Sequence, residues 1–538
     1  MAKEPKQERI KREKDGLDVW EDLVRYARMD YDDIPEDEFE RFKWYGIYRQ
    51  RPNDGYFMIR IKIPGGQLTA TQLREIGKMT RTYARDIGDI TTRQDIQLHW
   101  VTLDAIPAVM DRIYQQLGMY QQFSCGDAPR NVTGCPLAGV VKDEIVDTSA
   151  LTRQVSQMFK DGGKEFSNLP RKFKTSIGGC TLHCHQPQIN DIGMYGVRRN
   201  GDVGLGLIVG GGLRNTPHFA QNLRVFLPPN EGLIKDVCRR TANLFRDQEQ
   251  LRHGRLKARL KFYVAEIGPE AFRDQLERYL GYELDHWDDC PLPDAVHTDH
   301  MGVGEQKNGL YYVGVPIERG RLSGKNMMDL ADLAERYGAG DDGVLRNSQK
   351  QNILILDIPE KNVDELCTEL DKVGLSPRAH ALRQSLISCT GIQFCNLAVV
   401  ETKQRAKEIL EYLEANVEID DSLFISVTGC PNSCAQYQIA DIGLEGVPVK
   451  WNGQRVDGYF IMLGARLGPN CRFNTKLTGP DGKELKIPSA VIHKSLERIL
   501  NAFTAERLHD DETFADWVDR QDMATLAAHA TPPEMAGS

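Results

Sequence analysis

No long apolar run occurs in this chain of 538 residues. No stretch approaches the roughly 18–20 consecutive apolar residues that a helix needs to cross a bilayer, so a membrane-spanning protein is not expected. The first residues, MAKEPKQERIKREKDG, contain no apolar segment of the kind that a secretory signal requires. They predict a solvated or frayed leader, with a docking arm for an acidic partner as the alternative.

A strongly basic character is also missing. The formal net charge is −9 at pH 7, and no long basic block occurs, which disfavours nucleic-acid binding but leaves room for local anion pockets. The chain has 12 cysteines. Without a secretory signal they favour reduced thiols or metal ligation over a disulfide framework, and the cytoplasm is the expected compartment.

The two halves of the chain resemble each other at a period of about 254 residues. Residues 54–69 and 308–323 both alternate like a half-buried strand and then continue into a helical pattern. Residues 176–197 and 426–447 share 12 of 22 residues without a gap, including CxxxC followed by QxQIxDIG. Generic α+β patterning does not explain that motif. We therefore predict an α+β protein of two homologous halves with pseudo-twofold symmetry and a cofactor between them.

Four cysteines of the second half form two closely spaced pairs. SCTGIQFC supplies Cys389 and Cys395, and TGCPNSC supplies Cys430 and Cys434. Structural zinc sites usually use shorter spacings than the Cx5C pair, whereas four thiolates are the usual ligands of an iron–sulfur cluster. The sequence therefore predicts a [4Fe-4S] cluster on these four residues, with four buried free cysteines as the alternative.

With these motifs the sequence resembles the siroheme-containing nitrite and sulfite reductase family, in its ferredoxin-dependent single-chain form. The resemblance extends from about Phe42 to about Asp519 and rests on the Cx5C and TGCPNSC motifs, on GDAPRNVTGCPLAG (residues 126–139) and on LPRKFK (residues 169–174). It implies a siroheme beside the [4Fe-4S] cluster, with Cys434 as the thiolate that bridges the cluster and the siroheme iron.

The repeat and the resemblance together divide the chain into six segments. They are an N-terminal leader (1–45), a first ferredoxin-like half-domain (46–120), a siroheme- and substrate-binding α/β domain (121–284), a linker (285–300), a second ferredoxin-like half-domain (301–377), and a cluster- and siroheme-binding domain with C-terminal helices (378–538).

A cationic pocket is implied as well, because siroheme carries eight carboxylates and the substrates of the family are anions. The family's substrate-binding cations fall on Arg60, Arg130, Lys172 and Lys174. Strand alternation would aim Lys172 and Lys174 to one face. The further siroheme contacts implied are Arg93, Gln97, Gly210, Gly211, Gly212 and Arg466.

Two of these groups carry an alternative interpretation. The run Gly210 to Gly212 could present backbone N–H groups to siroheme carboxylates, or it could be a site of close helix–strand packing. The evenly spaced cations of HGRLKARLKF (residues 253–262) could line the siroheme or lie on the surface.

The first half keeps three cysteines at positions that align with cluster ligands. Cys135, Cys180 and Cys184 correspond to ligands of the second half, while Pro129 stands where the fourth would be. Relics of duplication are the preferred interpretation, and a second metal site is the alternative.

Other first-half residues near these cysteines carry smaller hypotheses. Cys125 could be a reactive thiol or be joined to Tyr56, as some ferredoxin-dependent members of the family join a tyrosine and a cysteine. His183 and His185 flank Cys184 and are interpreted as chance neighbours.

The function that the resemblance implies is six-electron reduction of sulfite to sulfide, with electrons from reduced ferredoxin. A flavoprotein subunit is the alternative donor, because no dinucleotide-binding fingerprint or flavin domain is present. Reduction of nitrite to ammonia is the alternative reaction. RKFK is typical of sulfite-reducing members, whereas RNVTGCPLAG is more like the nitrite reductases.

A non-catalytic iron–sulfur electron carrier and a siroheme-handling chaperone are the alternatives from other classes. Four converging cations argue against both, since a simple carrier has no need of them. No nucleic-acid or membrane partner is expected, and a monomer is expected.

Overall fold

The structure is a computed structural model of the whole chain. It describes residues 4–182, 184–292, 299–419 and 423–535.

Helices and strands alternate throughout the chain. The α-helices are α1 (Lys6–Glu13), α2 (Trp20–Tyr26), α3 (Glu36–Phe42), α4 (Ala70–Tyr83), α5 (Ile106–Asp111), α6 (Ser149–Gly162), α7 (Glu231–Arg246), α8 (Leu260–Ile267), α9 (Pro269–Leu280), α10 (Gly324–Tyr337), α11 (Val363–Lys372), α12 (Ala381–Ser385), α13 (Lys403–Asn416), α14 (Ile492–Glu506), α15 (Phe514–Asp519) and α16 (Met523–Ala530). None of them is long and apolar enough to span a membrane, within the part of the chain described.

The strands build four sheets. They are β1 (Ile47–Arg49), β2 (Tyr56–Ile61), β3 (Gln67–Thr69), β4 (Gly88–Ile90), β5 (Ile96–Thr102), β6 (Thr133–Gly134), β7 (Thr175–Ile177), β8 (Ile192–Arg199), β9 (Asp202–Val209), β10 (Gln221–Leu227), β11 (Asp285–His286), β12 (Gly302–Glu305), β13 (Tyr311–Val315), β14 (Arg321–Leu322), β15 (Val344–Asn347), β16 (Ile353–Ile358), β17 (Leu386–Ser388), β18 (Ile425–Thr428), β19 (Ile442–Trp451), β20 (Gln454–Leu463), β21 (Thr475–Lys476) and β22 (Lys486–Pro488).

Each half contains a ferredoxin-like sheet whose last strand comes from the other half. The first has the order β1-β2-β5-β4-β14, and the second has the order β12-β13-β16-β15-β3. Arg321 pairs with Asp89 in one of these added ladders, and Leu68 pairs with Leu345 in the other. The exchange ties the two halves together by backbone hydrogen bonds.

The helices that follow the exchanged strands pack against each other. Thr69 and Ser323 both close capping boxes, so α4 and α10 begin in the same way. The helices approach closely at Gly77 and Gly324, since a Cβ added at Gly324 would meet the Gly77 carbonyl at 2.2 Å. Only glycine at these positions permits that contact.

The other two sheets also correspond to each other. β6, β7 and β8 run parallel and β9 returns antiparallel, and the same pattern holds for β17, β18, β19 and β20. The predicted α+β fold with two homologous halves is therefore confirmed.

The shared motif QxQIxDIG makes reciprocal contacts between the halves. Gln188 donates to the Gly468 carbonyl at 2.9 Å and accepts from its N–H at 2.8 Å. Gln438 makes the same pair of bonds to the backbone of Arg214, at 3.0 and 2.8 Å. Near this junction, Phe219 and Phe473 stack with ring centroids 3.9 Å apart.

The prediction of a solvated leader is wrong for the described residues. In α1, Ile10 is buried, and the Lys11 ammonium donates to the Leu169 carbonyl at 2.9 Å. Two apolar residues of α3, Phe39 and Phe42, belong to the main core. Most residues of α1 are charged, and the residues that its buried face contacts lie far away in the chain. The local sequence therefore did not indicate that the helix is buried.

Part of the predicted linker packs on the first half. β11 pairs with β10, and the Cys290 thiol lies 3.8 Å from Tyr195 Oη. Residues 293–298 lie outside the described residues.

Asp89 of β4 is a buried carboxylate that connects the halves. Arg321 of β14 donates to it through Nε and Nη2 at 2.9 and 3.1 Å, and Lys403 Nζ lies 3.7 Å away. His99 Nε2 is 3.1 Å from the same carboxylate. Burial alone would raise the pKa of Asp89, but the two second-half cations hold it well below its usual value.

Replacing Asp89 by Asn should destabilise the protein strongly. The variant leaves Lys403 and Arg321 buried without their counter-charge, which should lower the free energy of unfolding by about 3–5 kcal/mol, as measured by urea denaturation. Asp104→Asn, which alters an exposed carboxylate just after β5, should change it by less than about 0.5 kcal/mol. Similar losses in both variants would contradict this account.

Candidate active site

The four cysteines of the second half gather at one edge of a sheet. Cys389 follows β17 and Cys430 is two residues after β18, and these strands are parallel neighbours, so their carboxyl ends meet there. Three of the sulfurs accept hydrogen bonds. Gly429 N–H donates to Cys389 at 3.2 Å, Leu397 N–H to Cys395 at 3.4 Å, and Asn432 Nδ2 to Cys430 at 3.4 Å.

Three of these cysteines favour the protonated thiol in the absence of a metal. Burial raises the pKa of Cys389 to about 12, against the hydrogen bonds that lower it. Burial likewise raises the pKa of Cys395 and of Cys430. Such thiols keep their protons near pH 7 unless a metal replaces them. Cys434, in contrast, is exposed.

The first half contacts the Cys434 loop directly. Thr92 Oγ1 donates to the Cys434 carbonyl at 2.9 Å. Phe394, from the loop between Cys389 and Cys395, stacks on His99 of β5 with ring centroids 4.1 Å apart. The cysteine loops are therefore held partly by residues of the first half.

Arg60 lies on β2 with a defined set of partners. Its Nη1 donates to Tyr48 Oη at 3.3 Å and to the Ser124 carbonyl at 3.4 Å. The Gln97 carboxamide, oriented with its oxygen towards the guanidinium, accepts from Nε and Nη2 at 3.2 and 2.8 Å. Gln97 therefore positions Arg60.

Cys434 acts electrostatically on two first-half cations. Burial alone would lower the pKa of Arg60, but nearby acidic groups that include Cys434 raise it. Burial and the neighbouring Arg259 lower the pKa of Lys172 to about 8, while Cys434 opposes this shift. The exposed cysteine of the second half is therefore within charge–charge range of the cations of the first.

Lys172 and Lys174 flank a buried Phe173, which forms a parallel bridge with Pro129. Both lysines retain some solvent-accessible area, yet burial lowers the pKa of Lys174 well below its ordinary value, with Arg93 and Lys172 adding to the effect. This combination is typical of amines that face an internal cleft.

Arg130 and Arg93 lie deep in the same region. Arg130 N–H donates to the Phe173 carbonyl at 2.7 Å, while its Nη1 has no hydrogen-bond partner among the described residues. Arg93 donates to Asn190 Oδ1 at 2.9 Å and to the Thr175 carbonyl at 3.2 Å. Arg93 lies in a turn before β5, so strand alternation does not set its direction.

Asp191 is a site residue that sequence reasoning missed. Its carboxylate accepts two bonds from Arg259, at 2.9 and 3.1 Å, and one at 2.8 Å from the backbone N–H of Lys174. In the second half, Asp441 accepts from Phe424 N–H, also at 2.8 Å. The repeated aspartate of QxQIxDIG was the signal that could have identified it.

Lys350 is a buried cation of the second half. It is buried, its Nζ has no hydrogen-bond partner among the described residues, and it lies 3.7 Å above the Phe424 ring. Burial lowers the pKa of Lys350 to about 8.

The glycine run does not offer free donors. The N–H groups of Gly210, Gly211 and Gly212 donate to the carbonyls of Asp191, Asn190 and His218, at 3.0, 2.8 and 2.8 Å. A Cβ at Gly211 would meet the Gln188 carbonyl at 2.3 Å. The run is a close-packing site, which corrects the prediction that its N–H groups bind carboxylates.

Arg466 and Tyr56 also differ from expectation. Arg466 forms ion pairs with Asp516 and, at 3.3 Å, with Asp519. Its charge is therefore neutralised by two carboxylates of α15. Tyr56 accepts from Arg85 at 2.6 Å. The tyrosine within interaction range of the Cys125 thiol is instead Tyr48, which corrects the pairing proposed from the sequence.

The basic run of residues 253–262 is divided between core and surface. Arg259 forms a buried ion pair with Asp191 and Arg255 a part-buried one with Asp127, whereas Lys257 is exposed. His185 Nε2 donates to the Met194 carbonyl at 2.9 Å, and His183 lies outside the described residues.

The packing role of the glycine run can be tested with a matched pair of variants. Gly210 and Gly201 both have a positive φ, at 80° and 94°, but an added Cβ meets Val264 at 2.7 Å only at Gly210. Gly210→Ala should therefore cost about 1–3 kcal/mol more unfolding free energy than Gly201→Ala. Equal costs in thermal or urea unfolding would show that backbone strain alone decides.

Comparison with known proteins agrees with the arrangement of the site. The family model "Nitrite and sulphite reductase 4Fe-4S domain" matches residues 125–284 and 381–533. The model "Nitrite/Sulfite reductase ferredoxin-like half domain" matches residues 48–116 and 303–373. The predicted iron–sulfur cluster is thereby supported.

Curated relatives and a solved structure match nearly the whole chain. "Sulfite reductase [ferredoxin] 1" of Mycolicibacterium paratuberculosis is 36% identical over 550 residues, 96% of this chain and 95% of the relative. "Assimilatory ferredoxin-dependent nitrite reductase" of Haloferax mediterranei is 34% identical over 564 residues, 98% and 94% of the two chains. The structure of the Mycobacterium tuberculosis NirA protein superposes with a TM-score of 0.89 at 35% identity, covering 97% of both chains. The chain therefore belongs to the nitrite and sulfite reductase family.

Proposed function

We propose that this protein is a ferredoxin-dependent sulfite reductase that carries out the six-electron reduction of sulfite to sulfide. The observation that carries the proposal is the convergence on Cys434. The last cysteine of the cluster set is exposed, contacts Thr92 of the first half and lies within charge–charge range of Arg60 and Lys172. The cysteines proposed to hold the electron-accepting cluster therefore lie next to the cations proposed to bind the anion.

The donor set fits a [4Fe-4S] cluster. Cys389, Cys395, Cys430 and Cys434 would hold it, since thiolates are its usual ligands. The N–H groups that reach three of these sulfurs would stabilise their negative charge.

The cations fit siroheme and a small anion. Arg130 Nη1, Arg93 Nε and Arg259 Nε are buried atoms without a hydrogen-bond partner among the described residues. Burial and mutual repulsion lower the pKa of Arg93 to about 10 and that of Lys172 to about 8. A ligand with several carboxylates would offset this excess of positive charge. When bound, siroheme and the cluster supply the one-electron redox chemistry.

The protein's own residues bind the substrate and deliver protons. Arg60, Arg130, Lys172 and Lys174 are proposed to hold the anion, offset its charge and polarise its bonds to oxygen. Lys172 is suited to proton transfer, because its pKa of about 8 is close to neutral pH. The reduced electron donor is proposed to be ferredoxin, on the names of the relatives.

Nitrite is the second candidate substrate, because the relatives include nitrite reductases. Lys174 favours sulfite, since a bound anion would raise the pKa of its amine, which would then add a positive charge beside Lys172 and Arg93. A dianion is stabilised more by that additional charge than a monoanion is.

Cys434→Ser should abolish turnover. Because Cys434 is proposed to serve both cofactors, kcat/KM for sulfite with reduced ferredoxin should fall at least 100-fold, about 2.7 kcal/mol. The siroheme bands of the wild-type absorption spectrum should be lost or shifted as well. Cys471→Ser, at another part-exposed thiol of the same half, should keep both properties. A wild-type protein with cluster absorption but no siroheme bands would refute the proposal and favour an electron carrier.

Lys174→Asn should separate the two substrates. Loss of this cation should reduce kcat/KM for sulfite by about 10- to 100-fold, and for nitrite by less than about 3-fold. Steady-state assays with reduced ferredoxin give both values. Lys257→Asn, at an exposed lysine, is the control and should change neither. Undiminished sulfite reduction in the Lys174 variant would show that this lysine does not select the substrate.

A further inference from the structure

The cysteines that the first half keeps lie in direct mutual contact. Cys135, Cys184 and His300 place their ligand atoms within 4.8 Å of one another, and Cys135 Sγ lies 3.8 Å from His300 Nε2. The Cys180 thiol lies within interaction range of the Cys135 thiol. No other group of three histidine, cysteine or carboxylate side chains is as compact among the described residues.

We propose that Cys135, Cys180, Cys184 and His300 bind one zinc ion, in a structural site separate from the proposed active site. Three cysteines and one histidine are a usual ligand set of tetrahedral structural zinc. The Cys180 and Cys184 spacing, Cx3C, is also within the range of zinc knuckles.

The distances favour a single ion over a second cluster. Bonds of about 2.3 Å to sulfur and about 2.0–2.1 Å to nitrogen in a tetrahedral site put neighbouring ligand atoms roughly 3.5–3.8 Å apart, and Cys135 Sγ lies 3.8 Å from His300 Nε2. In a [4Fe-4S] cluster each thiolate binds a different iron, so the sulfurs lie farther apart.

The set proposed for the cluster differs in the expected way. Cys389, Cys395, Cys430 and Cys434 do not form such a compact group. The duplicated positions therefore show two geometries, one suited to four irons and the other to one ion.

His300 is held in place by its surroundings. Its backbone has a positive φ of 56°, and a Cβ at Gly314 would meet its carbonyl at 2.3 Å, so glycine is required opposite it. The preceding Asp299 accepts from Ser348 Oγ at 2.7 Å and is also bonded by Asn352. The imidazole is thereby presented to Cys135 by the second half.

The environment fits a zinc–thiolate centre that carries net negative charge. Cys135 and Cys184 lie in an apolar cluster with Leu354 and Leu356, which would exclude water. Arg346 is within charge–charge range of Cys135, and its Nε and Nη1 are buried without a hydrogen-bond partner among the described residues. Three thiolates on one Zn²⁺ leave a charge of −1, which this guanidinium would offset.

Such an ion would join three distant parts of the chain. Cys135 follows β6, Cys180 and Cys184 precede β8, and His300 precedes β12 of the second half. Protein atoms would fill all four coordination positions of the zinc ion, which is typical of structural rather than catalytic zinc. The site would fasten the segment between the halves onto the first half.

Metal analysis of the holoenzyme tests the proposal. Protein purified without chelators should contain about one zinc per chain, in addition to the iron of one cluster and one siroheme. Cys184→Ala and His300→Gln should each lower the zinc at least 10-fold and leave the iron content unchanged. Cys238→Ala, at a buried thiol of α7, should retain the zinc.

X-ray absorption at the zinc edge of the wild-type protein keeps the test independent of how the variants fold. A shell of three sulfurs and one nitrogen is expected. Absence of zinc after growth with added zinc, a shell without sulfur, a disulfide among these cysteines, or extra iron that disappears in Cys184→Ala would each overturn the proposal. None of these outcomes bears on sulfite turnover, so the zinc proposal can fail while the proposed function stands, and the reverse.

Discussion

The exchange of one strand between the two ferredoxin-like sheets is the constraint on which the site depends. β14 adds to β4 of the first half and β3 adds to β15 of the second. A sheet ladder fixes its register, because a slip of one residue turns every side chain to the other face. The same ladder brings Arg321 to Asp89 and holds the turn after β4 in position. From that turn Thr92 reaches the Cys434 loop.

The duplicated positions have kept their structural roles and separated their chemical ones. Asp191 and Asp441 accept from the same backbone position at the same distance of 2.8 Å, but that position is Lys174 in the first half and Phe424 in the second. At this position the first half therefore has a cation, whereas the second half has the aromatic ring over which the Lys350 ammonium lies.

Local patterns predicted the two α+β halves, because strand alternation, helical periodicity and a repeated motif can be recognised from neighbouring residues. The strand exchange could not be predicted, since β3 and β14 are short and their partners lie in the opposite half. The buried Lys11 and the position of His300 were missed for the same reason: their partners are Leu169 and Cys135, more than a hundred residues away. The glycine run was misread because its N–H groups have partners outside the pattern.

Uncompensated charge links the folding of this protein to what it binds. Burial lowers the pKa of Lys172 and of Lys174, and Arg93 and Arg259 add repulsion, so the cationic pocket by itself opposes the folded state. A ligand that binds only the folded protein stabilises it in proportion to the logarithm of its concentration over its Kd. An anion with many carboxylates would therefore be a structural component of the pocket as well as a cofactor, and the small substrate anion would bind to the positive charge that remains.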